Sequence, residues 1–138
     1  MSDWLIPYLV FNGNCEQAVN FYAQVLEAEP VIMRYGDAPP NPHFQVPEEV
    51  KSKVMHAELR KDGHVIRFSD NCFGAPVNTG NSISFSLEFK SVEDTKAMFQ
   101  ALSEGGKVEM EPQETFFSPC YSKFTDKFGI MWQVSCTK

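Results

Sequence analysis

The feature that most constrains this chain is an internal repeat. Phe11 and Phe21 have counterparts in Phe89 and Phe99, 78 positions on, and the turn glycine Gly63 has its counterpart in Gly129, 66 positions on. A pattern stated twice builds one supersecondary unit twice. The 12-residue difference falls in the first copy, where Gly36 to Glu49 holds four of the nine prolines and reads as an extra loop.

Each copy has the same order of elements. Trp4 to Phe11 is an apolar run of strand length. Asn12-Gly13-Asn14 ends it; Asn14 is placed to cap a helix, with Gln17 at the capping-box position. Ala18, Phe21, Tyr22 and Val25 follow at helical spacing to about Leu26, and Val31 to Tyr35 returns to strand. Val54–Arg60 and Val65–Ser69 then flank an Asp62-Gly63 turn, the signal for a type I′ hairpin. After Asn71 to Asn81 the order restarts. Ser82–Phe89 alternates apolar and polar, Val92–Leu102 is amphipathic and stops at Gly105-Gly106, Lys107–Met110 is a short strand, and Ser122–Thr125 and Ile130–Val134 flank a second turn. The reading is one domain over residues 1–138, with module 1 at about 1–73, a linker at about 71–81 and module 2 at about 82–138.

Two β-α-β-β-β modules in tandem make an α+β chain, and alternation sorts its faces. Ile83, Phe85, Leu87 and Phe89 are expected under a helix, with Ser84, Ser86 and Glu88 pointing the other way. A two-residue turn sets Arg60 opposite Val65, Glu58 opposite Arg67 and His56 opposite Ser69, and leaves Leu59/Ile66 and Ala57/Phe68 on the apolar face. The repeat carries Arg67 onto Gln133. If both modules curl into one cupped mixed sheet with the helices on its outer face, His56, Glu58, Arg67, Ser84, Ser86, Glu88 and Gln133 form a polar wall. That wall lines a ligand cavity or faces water.

Charge and composition exclude some partners. A net charge of −6 disfavours nucleic acid and anionic membrane, which reward Lys/Arg patches, and suits simple solubility equally well. No apolar run approaches the roughly 18 residues of a membrane span. Met1-Ser2-Asp3-Trp4 has no basic region ahead of an apolar stretch, so no signal peptide is expected. Cys15, Cys72, Cys120 and Cys136 are scattered without a Cys-x-x-Cys pair and read as free thiols of a cytoplasmic protein.

Several segments together resemble PhnB-like proteins of the vicinal-oxygen-chelate (glyoxalase/bleomycin-resistance/dioxygenase) superfamily. They are Pro7 to Asn14 with Ala18 and Phe21-Tyr22, then Met55-His56-Ala57, Phe68-Ser69-Asp70, Gly105-Gly106-Lys107-Val108, and Thr125 to Gly129 with Trp132. The resemblance spans nearly the whole chain and implies paired modules, a cupped sheet and a homodimer. Glyoxalase-type relatives hold a divalent metal with His, Gln or Glu, and those positions fall near Pro7, at Arg67, near Ser84 or Ser86, and at Gln133. Proline offers no donor atom, guanidinium is a permanent cation and serine is a poor ligand. A site of this class needs three or four N/O ligands, so the resemblance leaves no metal and no cofactor expected. Some PhnB-like proteins carry the name 3-demethylubiquinone methyltransferase; this sequence has no glycine-rich strand–helix turn of the nucleotide-binding kind.

Individual residues have a functional and a plain reading. Arg67 anchors a carboxylate, phosphate or phosphonate, or it pairs across strands with Glu58; both hold if Glu58 orients it. His56 is a general base or replacement metal ligand helped by Glu58 or Glu88, or a hydrogen-bonded strand residue. Glu58 and Glu88 are a carboxylate pair or a solvated face. Cys120, between Pro119 and Tyr121, is a reactive thiol or an inert one, with no histidine nearby in sequence. His43 and His64 read as solvent-facing. Phe116, Phe117 and Tyr121, with Phe44, close over a ligand or anchor a dimer. The expected function is binding of a small organic ligand by Arg67, Gln133, His56, Glu58, Ser84, Ser86, Glu88, Phe117 and Tyr121, with no residue assigned to catalysis. The rivals are a metal-dependent lyase, isomerase or dioxygenase-like enzyme and a bleomycin-type drug-sequestering protein.

Overall fold

The computed structural model describes residues 4–138; the reading of Met1 to Asp3 as free of a signal sequence lies outside the described residues. Among the described residues eight strands and two α-helices follow one another as β1 (Tyr8–Phe11), α1 (Cys15–Leu26), β2 (Glu29–Arg34), β3 (Val54–Lys61), β4 (His64–Asp70), β5 (Ser84–Phe89), α2 (Val92–Ser103), β6 (Lys107–Gln113), β7 (Tyr121–Thr125) and β8 (Met131–Cys136). The chain divides into two compact units, Met1–Val77 and Asn78–Lys138. Each is a β-α-β-β-β module, and the class is α+β.

In the first unit the sheet order is β1-β4-β3-β2, with β1 parallel to β4 and the other pairs antiparallel. The second repeats this as β5-β8-β7-β6. Asp62 and Gly63 both take positive φ, 51° and 83°, as a type I′ turn requires. That turn sets Lys61 opposite His64, Glu58 opposite Arg67 and Ala57 opposite Phe68, the expected register. In the second unit Asp126 is buried and accepts the main-chain N–H groups of Phe128 and Ile130 and the indole N–H of Trp132, which fixes the loop between β7 and β8.

Each helix lies on one face of its own sheet. Leu9, Phe11, Ala57, Leu59 and Phe68 are buried with Ala18, Val19 and Tyr22 of α1 in the first core, where the Phe68 ring stacks on Tyr22 and Phe11. Phe124, Trp132 and Val134 are buried with Leu102 of α2 in the second. The N-terminus of α1 departs from expectation. Asn14 is the N-cap residue, but its side chain makes no capping bond. Instead the buried Asp70, at the end of β4, accepts the N–H of Cys15 on one oxygen and of Val54 on the other. Ser91 caps α2 in the ordinary way, accepting from Asp94 N–H.

Strand boundaries differ from the sequence reading by a residue or more throughout, and four of them carry a physical reason. β1 begins at Tyr8, and Trp4 is 95% exposed, because an apolar run does not become a strand without a hydrogen-bonded neighbour. β2 begins at Glu29 and runs through Pro30, which an edge strand tolerates. β5 begins at Ser84, leaving Ile83 ahead of the strand and 75% exposed instead of under α2. β6 continues to Gln113, with register shifts that let an edge strand absorb Pro112.

Candidate functional site

The face of the first sheet turned away from α1 can be written as rows, since alternation and register assign every position. One row runs Tyr8, Arg67, Glu58, Val31 across β1, β4, β3 and β2. In the next row Val10 stands opposite Ser69, and His56 opposite Met33. On the other side Val65 faces Arg60, which faces Glu29. The two central strands therefore carry His56, Glu58, Arg60 and Arg67, and the two outer strands carry Tyr8, Val10, Val31 and Met33, with Glu29 at the start of β2.

Glu58 is the hub. Arg60 Nε donates to its Oε2 at 3.0 Å, His56 Nε2 lies 3.5 Å from Oε1, and Arg67 Nε lies 3.4 Å from the same oxygen. The hydrogen bond from Arg60, then that from His56, and the charges of Arg60 and Arg67 hold the Glu58 carboxyl below the usual carboxylate range, against the opposing effect of burial. One carboxylate thus serves two guanidiniums. The contact to Arg67 is an ion pair without hydrogen-bond geometry, and Arg67 Nε is buried with no hydrogen-bond partner among the described residues. The His56 ring also meets the Tyr8 ring, centroids 6.0 Å apart.

On the second sheet the face away from α2 carries a neutral chain of contacts. Tyr121 Oη donates to Gln133 Oε1 at 2.6 Å, and Gln133 Nε2 donates to Ser84 Oγ at 2.9 Å. The Phe117 ring packs edge-on against Tyr121, centroids 5.1 Å apart, and Phe116 against Phe117. Ser86 stands opposite Gln133 in the register and Glu88 opposite Ser135, both exposed. The nine residues singled out in the sequence thus fall into two groups, His56–Glu58–Arg67 and Ser84–Gln133–Tyr121–Phe117, with Ser86 and Glu88 on the face of the second but outside its contacts.

The metal positions implied by the resemblance can be tested residue by residue. Pro7 contributes only a carbonyl, already accepting from Arg67 N–H. Arg67 is a cation. Gln133 has both ends of its amide engaged, and its donor is directed at Ser84. Among the described residues no three His, Cys, Asp or Glu side chains come together as a metal site would need. The residues do not fit a divalent ion at those positions.

Other residues settle more simply. Cys120 is buried and burial raises its thiol pKa, so the reactive-thiol reading fails. All four cysteines are free. His43 and His64 are exposed. Phe44 packs edge-on against Phe73, which also meets Tyr35, beside a cavity of about 430 Å³ lined by prolines 39, 40 and 42. The sequence reading missed Tyr8, Val31 and Met33. Tyr8-Leu9-Val10-Phe11 is apolar throughout, which hides its alternation until burial separates Leu9 and Phe11 from the other two. Arg60 was placed on the hairpin but not in the site; its spacing of two from Glu58 was the available signal.

Comparison with known proteins gives consistent results. The sequence matches the family described as Glyoxalase/Bleomycin resistance protein/Dioxygenase superfamily over residues 4–134. It is 34% identical over 146 aligned residues to Protein YjdN of Escherichia coli (strain K12), covering 97% of this chain and 95% of that one. Among solved structures it is similar to protein PA1353 from Pseudomonas aeruginosa, with 36% identity, a TM-score of 0.86 and coverage of 99% and 98%. It is also similar in fold to the PhnB protein from Bacillus cereus, with 23% identity, a TM-score of 0.80 and coverage of 98% and 100%.

Proposed function

The chain belongs to the Glyoxalase/Bleomycin resistance protein/Dioxygenase superfamily, and from that premise we propose that it binds a small organic molecule without a metal ion, using Arg67 to anchor an anionic group. The observation that carries this reading is the condition of Arg67. Its Nε is buried, makes no hydrogen bond to any described residue, and shares one carboxylate with a second guanidinium. The side chain as a whole is 40% exposed, so the outer end of the guanidinium can meet a ligand oxygen while Nε stays held beside Glu58. Glu58 orients the guanidinium without neutralising the pair of cations, so the cross-strand ion pair and the anchor are compatible roles for the same residue. His56 and Tyr8 border the same place. Ser84, Gln133, Tyr121 and Phe117, with Ser86 and Glu88 beside them, are proposed as ligand-facing on the second sheet.

A homodimer belongs to the same proposal. Trp4 is 95% exposed, Phe116 90% and Ile83 75%, and large apolar side chains left in water mark association surfaces. The four free thiols support a reducing cytoplasm. No helix among the described residues is long and apolar enough to cross a membrane.

Thermal-shift measurement with methylphosphonate tests the anchor. A ligand at a hundred times its Kd stabilises by about 2.7 kcal/mol, a rise of several degrees in Tm. That rise is expected for the native protein and is expected to vanish in Arg67→Met. An equal shift in both proteins refutes the anchor. Elemental analysis of protein purified without chelator is expected to find no near-stoichiometric Zn, Ni, Fe or Mn; finding one would favour the metal-dependent enzyme instead.

A further inference from the structure

We infer that the first sheet takes an amphiphilic organic anion: a carboxylate, phosphate or phosphonate carried on an apolar body. This rests on the reading of Arg67 as an anchor and adds what surrounds it. The central strands offer two guanidiniums, Arg60 and Arg67, that share the carboxylate of Glu58; Glu29 on β2 stands opposite Arg60, so the positive charge left for a ligand is local to Arg67, with His56 beside it. The outer strands offer hydrocarbon. Val31 and Met33 on β2 are each 44% exposed, and Tyr8 and Val10 on β1 are 50% and 40% exposed.

The register sets the dimensions. Tyr8 is one strand from Arg67, and Val31 is two strands from it on the other side. With neighbouring strands about 4.8 Å apart, the guanidinium lies about 5 Å from one apolar row and about 10 Å from the other. An inorganic anion would satisfy the cations and leave four apolar side chains in water. A purely apolar ligand would cover the charges without pairing them, which is unfavourable. An anionic head with a hydrocarbon body about 10 Å long meets both demands.

Titration calorimetry with n-alkylphosphonates from methyl to octyl, each below its micelle concentration, tests the inference, with n-alkanoates run alongside to distinguish the two head groups. Affinity is expected to rise about threefold per added methylene over the first several carbons. Arg67→Met is expected to lose at least tenfold at every chain length. The double substitution Val31→Thr with Met33→Gln, at exposed edge-strand positions where both new residues keep strand geometry, is expected to flatten the chain-length dependence and leave methylphosphonate affinity within twofold. Equal binding of methyl- and octylphosphonate, both abolished in Arg67→Met, would sink the amphiphile inference and leave the anchor standing. No binding by any member would sink both. Octylphosphonate binding undiminished by Arg67→Met would overturn the inference, because charge would then play no part. A change in sedimentation coefficient on Val31→Thr with Met33→Gln, without a change in the affinity series, would assign the face to a second copy of the chain and overturn it too.

Discussion

Asp70 and Cys15 show how one buried carboxylate organises its surroundings. Asp70 accepts main-chain N–H groups from the start of α1 and the start of β3, doing the work the Asn14 side chain does not. The cost falls on Cys15. Burial, then the charges of Asp70 and Glu16, push its thiol up to about 12 from an ordinary 9.0. A raised folded-state value means the native thiol keeps its proton while the unfolded one loses it. The stability is therefore fully present below about pH 9 and is lost as pH rises toward about 12. The decline amounts to about 4 kcal/mol at most, and urea unfolding across that range is expected to show a shallower fall in Cys15→Ala. A parallel decline in the two proteins would mean the thiol is not the group responsible. Glu58 has the opposite sign: its lowered carboxyl contributes stability above the usual carboxylate range that disappears as pH falls through its folded value. Gln133 shows a limit of residue-by-residue reading. The family resemblance put it at an implied metal position, but whether its amide is available depends on Tyr121 and Ser84, which only packing brings to its two ends.

The hairpin β3–β4 is where local chemistry decided most. An Asp-Gly pair in a two-residue turn fixes the register of both strands, and with it the pairing of Glu58 and Arg67. Two glycines make contrasting predictions. Gly63 has φ +83° with nothing within 4 Å of an added Cβ, so Gly63→Ala meets only backbone strain, about 1 kcal/mol. At Gly106 the same Cβ would lie 2.9 Å from main-chain atoms of Asp126 and closer still to the carbonyl oxygen of Thr125. Gly106→Ala must move β6 against β7, and a loss of about 3 kcal/mol is expected. Chemical denaturation of the two variants checks the order; equal losses would mean that the close approach of β6 and β7 is relieved elsewhere. The edge strands β2 and β6 were placed least well because their ends depend on how far a neighbour offers hydrogen bonds, and Pro30 and Pro112 lie where local rules argue for a break.

Across the whole molecule, the net charge of −6 and an isoelectric point near 5.0 govern how copies meet. At neutral pH that charge opposes association beyond the proposed dimer. Light scattering is expected to reach its maximum near pH 5, where that repulsion vanishes, and to fall on either side; a flat profile would show that net charge does not limit association. The repeat, the class, the order of elements and the hairpin register were determined by the sequence alone, because hydrophobic period and turn chemistry act over neighbouring residues. The parallel joining of β1 to β4 was decided by tertiary structure. It links Tyr8 to Arg67 across 59 positions and turns an unbroken apolar run into one buried and one exposed row. The sharing of Glu58 between two guanidiniums and the double engagement of Gln133 were decided there too. Such contacts join strands through side chains whose partners are chosen by packing against a helix, and no local pattern in the chain encodes that choice.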